Sequence, residues 1–412
     1  MKERLKTLRN KREKENFSQG RNHFLTFFVL RAIKRRRAMQ KRARTGILIL
    51  LIALSSCQDN MNDITDFNIR SEDEDLIEAI NSFGFSVLTQ QATAQQSGTI
   101  VPLNHFQLMG ILLNASEEPW HHEMLSTLAL PGTEKDEINN SLKRILETLR
   151  KKEAAFASTI WYKNNIVLEN DFMESTTFFF NTEFYAHSFN ETITQEVESQ
   201  LKLPENTNQQ LSLEQVLEEK RGILALHFSS SIHPQGTAVI DSMLFSAPAA
   251  TLRLPSIAIT TEGRYFGNEQ FHFIEIPTTI ADVVINLVIP KQTDNAAEVL
   301  SSLTPEQWAN CRRESTEEAY NLEVPDFSSD SLHATNKMIP DMGTTLISEA
   351  MPTMDSSQVA ILSHIRLQMT TGKEKKTRSA KRMVVADKPF AYVMYEKKSN
   401  CILVGGTFFA SH

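Results

Sequence analysis

The sequence predicts an α+β fold, with N-terminal helices followed by large mixed or antiparallel β-sheets. Three observations lead there. Segments of helical period crowd the stretch 75–152. Short runs rich in branched and aromatic residues dominate everything after 155. The two kinds of segment do not alternate regularly, as they would in a parallel α/β fold.

The elements follow in order. Residues 75–88 place Leu76, Ile77, Ile80, Phe83 and Val87 at helical spacing. An apolar helix is expected at 105–113, after Pro102, and another at 117–128. Residues 135–152 are amphipathic, with Ile138, Leu142, Ile145, Leu146 and Leu149 on one face. Strands are expected at 155–162, 183–189, 222–228, 271–276, 283–289, 322–324, 361–369, 390–395 and 402–409. Residues 76–412 contain no repeat, low-complexity run or Pro/Gly/Ser linker, so they read as a single domain.

The formal charge of −7 over 412 residues conceals a split. Residues 1–44 carry 16 basic and 3 acidic side chains, and the remainder carries 27 and 47. A body with net charge −20 lacks the basic footprint that phosphates require, so no nucleic-acid partner is expected. Residues 42–57 join a basic approach, an apolar stretch from Ile47 to Leu54, and small residues before Cys57. That is the plan of a secretory signal, too short for a stable membrane span. Leu54-Ser55-Ser56-Cys57 resembles a bacterial lipobox, in which the Cys57 thiol receives a diacylglyceryl group and becomes the new N-terminus. The expected organisation is a signal region 1–56, with Met39 an alternative start, then an acidic tether 57–75 and a domain 76–412. The chain is then expected at a bacterial cell envelope, held to the outer membrane or cell surface by its lipid. Cys311 and Cys401 remain; two thiols buried as small apolar groups are the favoured state, with one disulfide between them the other.

Motifs of catalysis and cofactor binding are missing. There is no HExxH, paired-Cys, GxSxG, GxGxxG or phosphate-loop pattern. His121-His122-Glu123 falls on an expected helix, where neighbours point about 100° apart and cannot share a metal. No enzyme activity, metal or cofactor is expected.

Several segments, in order, carry a resemblance. Ala386-Asp387-Lys388-Pro389-Phe390 is followed by a strand, a charged turn and a Gly-containing strand up to Phe409. Upstream stand FHFIEIPTTIADVVINLVIP at 271–290, Leu303-Thr304-Pro305-Glu306-Gln307-Trp308, and LEVPDF at 322–327. Residues 83–130 hold apolar helices, with Val101-Pro102-Leu103-Asn104 at a helix start. This ordered set resembles the serpins, the large serine protease inhibitors, over essentially all of 76–412. Ala386 to Phe390 matches the signature of the closing hairpin.

The resemblance implies a monomer that offers an exposed loop as bait to a serine protease. The cut loop inserts as a new central strand and drags the acylated protease with it. Here the loop is read as 370–385, Gly372 as the hinge, and Arg378-Ser379 as the scissile bond, counted back from Pro389. A trypsin-like protease is the implied partner, with Lys381 and Arg382 assisting. Only five residues separate Gly372 from Arg378, spanning about 20 Å with Arg378 included. A full central strand needs about twice that. Three of the five are lysines and one is Glu374, and burying unpaired charge costs several kcal/mol. The short charged loop argues against suicide trapping. Leu224 stands where the family's strand has Asn, and His364 is a candidate for the family's histidine in the neighbouring strand, with a core or edge histidine as the other reading. The alternative function is a non-inhibitory binding protein at the cell surface. Six Lys and Arg between Gly372 and Ala386, on an acidic body, would suit an acidic partner.

Overall fold

A computed structural model describes residues 71–410, apart from 116–119, 129, 131, 151–154, 191, 202–212, 219, 335–358 and 371–381. Met39, Cys57 and the tether up to residue 70 lie outside the described residues. Four helices open the fold: α1 (Ser71–Thr93), α2 (Pro102–Ala115), α3 (Trp120–Thr127) and α4 (Lys135–Arg150), with a short strand β1 (Gly98–Ile100) after the first. The helix expected to begin at 75 starts four residues earlier, within the stretch read as tether. Its acidic first turn is tied down, because the buried Asp73 receives Arg144 Nη2 of α4 at 2.5 Å. Amphipathicity dictates α4: Ile138, Leu142, Ile145, Leu146 and Leu149 are all buried. His121 and His122 fall on α3.

Five strands form the first sheet: β2 (Ala155–Lys163), β3 (Glu183–His187), β4 (Gly222–Ile232), β10 (Ser329–Ala334) and β11 (Val359–Met369), ordered β10-β11-β4-β2-β3. The β11–β4 and β2–β3 pairs are parallel and the other two are antiparallel. β4 is apolar along most of its length because both faces are covered. Leu224, Leu226 and Phe228 enter the main core. Ile223 and Ala225 pack with Val197 and Leu201 of α6 (Ile193–Leu201) and with residues of α7 (Leu213–Leu217).

The second sheet has nine strands. It adds β5 (Thr237–Ser246), β6 (Thr251–Gly267), β7 (Phe271–Pro277), β8 (Val283–Pro290), β9 (Thr316–Pro325), β12 (Arg382–Val385), β13 (Phe390–Glu396) and β14 (Ile402–Phe408) to β1. Its order is β1-β14-β13-β8-β7-β6-β9-β12, with β5 paired on β6. Helices α5 (Asn170–Phe180), α8 (Ala296–Ser301) and α9 (Pro305–Glu314) complete the described elements. The start of α9 has a local cause. Thr304 and Gln307 exchange side-chain-to-backbone bonds in a capping box, and Pro305 opens the first turn. Cys311 and Cys401 are free and buried. The α+β expectation holds, with helices first and large mixed sheets after.

Candidate functional site

β4 and β11 run parallel through eleven registered pairs, from Val359–Gly222 to Met369–Ile232. At about 3.3 Å per residue this seam is roughly 36 Å long. Both strands end at the same edge. There Thr370 N donates to the Ile232 carbonyl at 2.9 Å, and the Thr370 hydroxyl meets His233 Nδ1. A segment that followed β11 and turned back between the two strands would run antiparallel to both, converting one parallel ladder into two antiparallel ones.

One polar cluster sits on the seam. His227 and His364 are registered partners, and their rings stack with centroids 4.8 Å apart and Nδ1 atoms at 2.8 Å. Nε2 of His364 meets Asp330 Oδ1 of β10 at 2.8 Å, and Arg366 donates to Asp330 Oδ2. Burial lowers the His364 pKa, and the Asp330 carboxylate partly offsets that. Strand periodicity decides which side these rings occupy. His227 and His364 share a face with Ala225 and Leu362, the face covered by α6. Leu224 points into the opposite core. His364 and Leu224 therefore lie on opposite faces of the sheet. On the core side, α2 carries Asn104, buried with neither side-chain atom hydrogen-bonded among the described residues.

Gly372, Arg378, Ser379 and Lys381 lie outside the described residues. Arg382 does not belong to the loop as read from sequence. It opens β12, paired in register with Tyr320 of β9, so the segment between β11 and β12 is shorter than 370–385. Its Nε donates to Glu318 Oε1 at 2.7 Å, and its guanidinium covers the Tyr265 ring at 4.0 Å. Val384 is buried, whereas Met383 and Val385 face outward.

The signature after β12 has a structural reason at each position. Ala386 is fully buried and its N–H donates to the Glu323 carbonyl. Asp387 accepts at its carbonyl from Ser246 N, and its carboxylate pairs with Lys388 at 2.7 Å. Pro389 is buried. Phe390 is enclosed by the rings of Phe327, Tyr392 and Phe408. Sequence reasoning missed Asp330, Arg366 and His227 as partners of His364. The register that joins His227 to His364 spans 137 residues and the one that brings Asp330 spans 34, and neither leaves a local mark.

The chain matches the family model described as Serpin (serine protease inhibitor) over residues 78–224 and 245–410. No curated protein sequence matches it. Its fold is similar to that of protease nexin-1 crystallised with heparin, at TM-score 0.68 and 14% identity, covering 82% of this chain and 99% of that one. Glycosylated human kallistatin gives TM-score 0.69 at 14% identity, covering 82% and 99%. Mouse protein Z-dependent protease inhibitor gives 0.67 at 14% identity, covering 83% and 100%. Helices first, two large mixed sheets, and the family match over most of the chain agree: this chain belongs to the serpin family of serine protease inhibitors.

Proposed function

We propose that this chain presents its 371–381 segment as bait to a trypsin-like serine protease, with Arg378–Ser379 as the scissile bond, and that it is cleaved without trapping its protease. Family membership supports the bait role. The observation that carries the second half is a mismatch of lengths. The seam between β4 and β11 is eleven residues long, whereas only six residues run from Lys373 to Arg378. Those six reach about 20 Å, little more than half of the roughly 36 Å required. They also bring Lys373, Glu374, Lys375 and Lys376 toward a site whose β4 and β11 walls are largely buried.

The lipid at Cys57 belongs to the same reading. It would hold the protein at a bacterial cell envelope, as a monomer reaching extracytoplasmic proteases. The experiment is incubation of the full chain with trypsin, read by denaturing gel and mass. Cleavage after Arg378 with no covalent complex supports the proposal. A stable complex overturns the second half of it, and an uncut loop favours the binding-protein alternative.

A further inference from the structure

We propose that His227 and His364 form a binding site for a single divalent transition metal, of the Zn²⁺ or Cu²⁺ class, which bridges β4 and β11. The site depends neither on the bait segment nor on the lipid.

The ligand atoms are already gathered. The two imidazoles are registered partners on neighbouring strands, and their Nδ1 atoms are 2.8 Å apart. The ring centroids are 4.8 Å apart, so the Nδ1 atoms lie between the rings and face each other. Asp330 sets the tautomer. An ionised carboxylate only accepts, so Nε2 of His364, 2.8 Å from Asp330 Oδ1, carries that ring's hydrogen. Nδ1 of the neutral ring is then a bare lone pair aimed across the seam at His227. A carboxylate that holds one ring nitrogen while the other is left to bind is the support that metal-ligating histidines have. Arg366 holds the second carboxylate oxygen through Nε at 2.8 Å and Nη2 at 2.7 Å. It fixes Asp330 in place and balances its charge, so the cluster does not repel a cation.

The geometry needs a small adjustment. Metal–nitrogen bonds of about 2.0–2.1 Å at a tetrahedral angle set two nitrogens about 3.3 Å apart. The Nδ1 atoms must therefore part by about 0.5 Å, which slight rotation of two rings about their broad χ2 wells supplies. His227 takes the tautomer with its hydrogen on Nε2, and the metal replaces the hydrogen shared between the Nδ1 atoms. Imidazole selects Zn²⁺, Cu²⁺ or Ni²⁺, whereas Mg²⁺ and Ca²⁺ require oxygen ligands. His364 is wholly buried and His227 partly exposed, so water reaches the metal from the His227 side and completes its coordination. The two ligands stand 137 residues apart, so no spacing motif marks them. A metal held there ties together the two strands that any inserted segment must part.

The test uses the full chain, stripped with EDTA and titrated with Zn²⁺ by calorimetry at pH 7.5, with melting temperature as the second readout. Saturable binding is expected, and Zn²⁺ should raise the melting temperature where equal Mg²⁺ does not. His227→Gln should weaken the tightest site at least about tenfold and remove most of the rise. Asp330→Asn leaves both ligands in place and should weaken the site about tenfold. At pH 5.5 protons compete for both imidazoles, and binding should weaken again. His122→Gln, exposed on α3, should change nothing. Because His227 is partly exposed, its variant decides the matter even if His364→Gln unfolds. Zn²⁺ binding by His227→Gln equal to that of the native chain, an equal rise with Mg²⁺, or no saturable Zn²⁺ binding by the native chain, overturns the proposal.

Discussion

His227 and His364 face each other across the seam of the first sheet, their Nδ1 atoms 2.8 Å apart in registered positions of parallel strands. One ring must present a bare nitrogen for the other to donate to, so the pair cannot hold while both are protonated. Around it lie one carboxylate, Asp330, and one guanidinium, Arg366. Burial lowers the His364 pKa. Histidines of the unfolded chain titrate near 6.5, so as pH falls the unfolded state takes up protons first and stability decreases. The contribution is complete well above that value and is lost as pH falls through about 6.5 toward the lowered folded pKa. Burial also lowers His272, so the difference between proteins is the informative quantity. The melting temperature of the native chain should fall more steeply between pH 7.5 and 5 than that of His364→Gln. Parallel pH profiles would show that the pair is not the titrating element.

A buried ion pair fixes the first helix. Asp73 is almost wholly buried, while Arg144 is partly exposed. Arg144→Ala takes the guanidinium from a carboxylate held away from water, and breaking one side of such a pair costs about 3 kcal/mol. The denaturant midpoint should fall with little change in slope. A shift no larger than an exposed pair gives, below about 1 kcal/mol, would mean that Asp73 reaches water.

How much of this could be read from sequence depended on whether the signal was local. The apolar stripe of α4, the Thr304–Gln307 cap and the β13–β14 hairpin are written in neighbouring residues, and each was legible. β6 was not, although it has 17 residues. Thr251, Arg253 and Glu262 face solvent, and Pro255 interrupts the run, so its apolar period is diluted. β12 read as loop because Arg382 and Lys381 resemble the basic segment before them. What makes Arg382 a strand residue is Glu318 and Tyr265, which are distant in sequence.

The thiols offer a test of the lipid. Burial pushes Cys311 up to about 11 and Cys401 up to about 12, so neither is a thiolate at pH 8. The folded domain should leave both unreacted with a chromogenic thiol reagent. In denaturant, a chain lipidated at Cys57 should give two thiols, and an unmodified one three. Cys57→Ser should give two and be released from membranes. Three thiols in membrane-derived protein would remove the lipid claim.

Cleavage should be local and nearly silent. Trypsin should cut near Arg378, and Arg382 should resist, since β12 holds its backbone in the ladder with β9. Replacing Arg382 by Ala removes an exposed ion pair worth less than about 1 kcal/mol, and should leave cutting at Arg378 unchanged. The melting temperature after cleavage should move by no more than a few degrees. A large rise would mean that the freed segment enters the seam.

Length and charge can then be separated as the reason for not trapping. Replacing residues 373–376 with Ala removes the burial cost of three lysines and Glu374 but leaves the segment from 373 to 378 at about 20 Å. The seam needs about 36 Å, so this variant should still fail to trap trypsin. Inserting eight small residues after Gly372 adds about 26 Å and supplies the reach, yet the retained lysines must then pass between two buried strands. The insertion and the Ala replacement together meet both demands and should give the highest yield of covalent complex. The measurement is that yield on a denaturing gel for the three variants. Length is expected to dominate, because a strand that ends halfway down the seam cannot carry an acylated protease to the far edge whatever its composition. Substantial trapping by the Ala replacement at native length would reverse that order and leave charge as the cause.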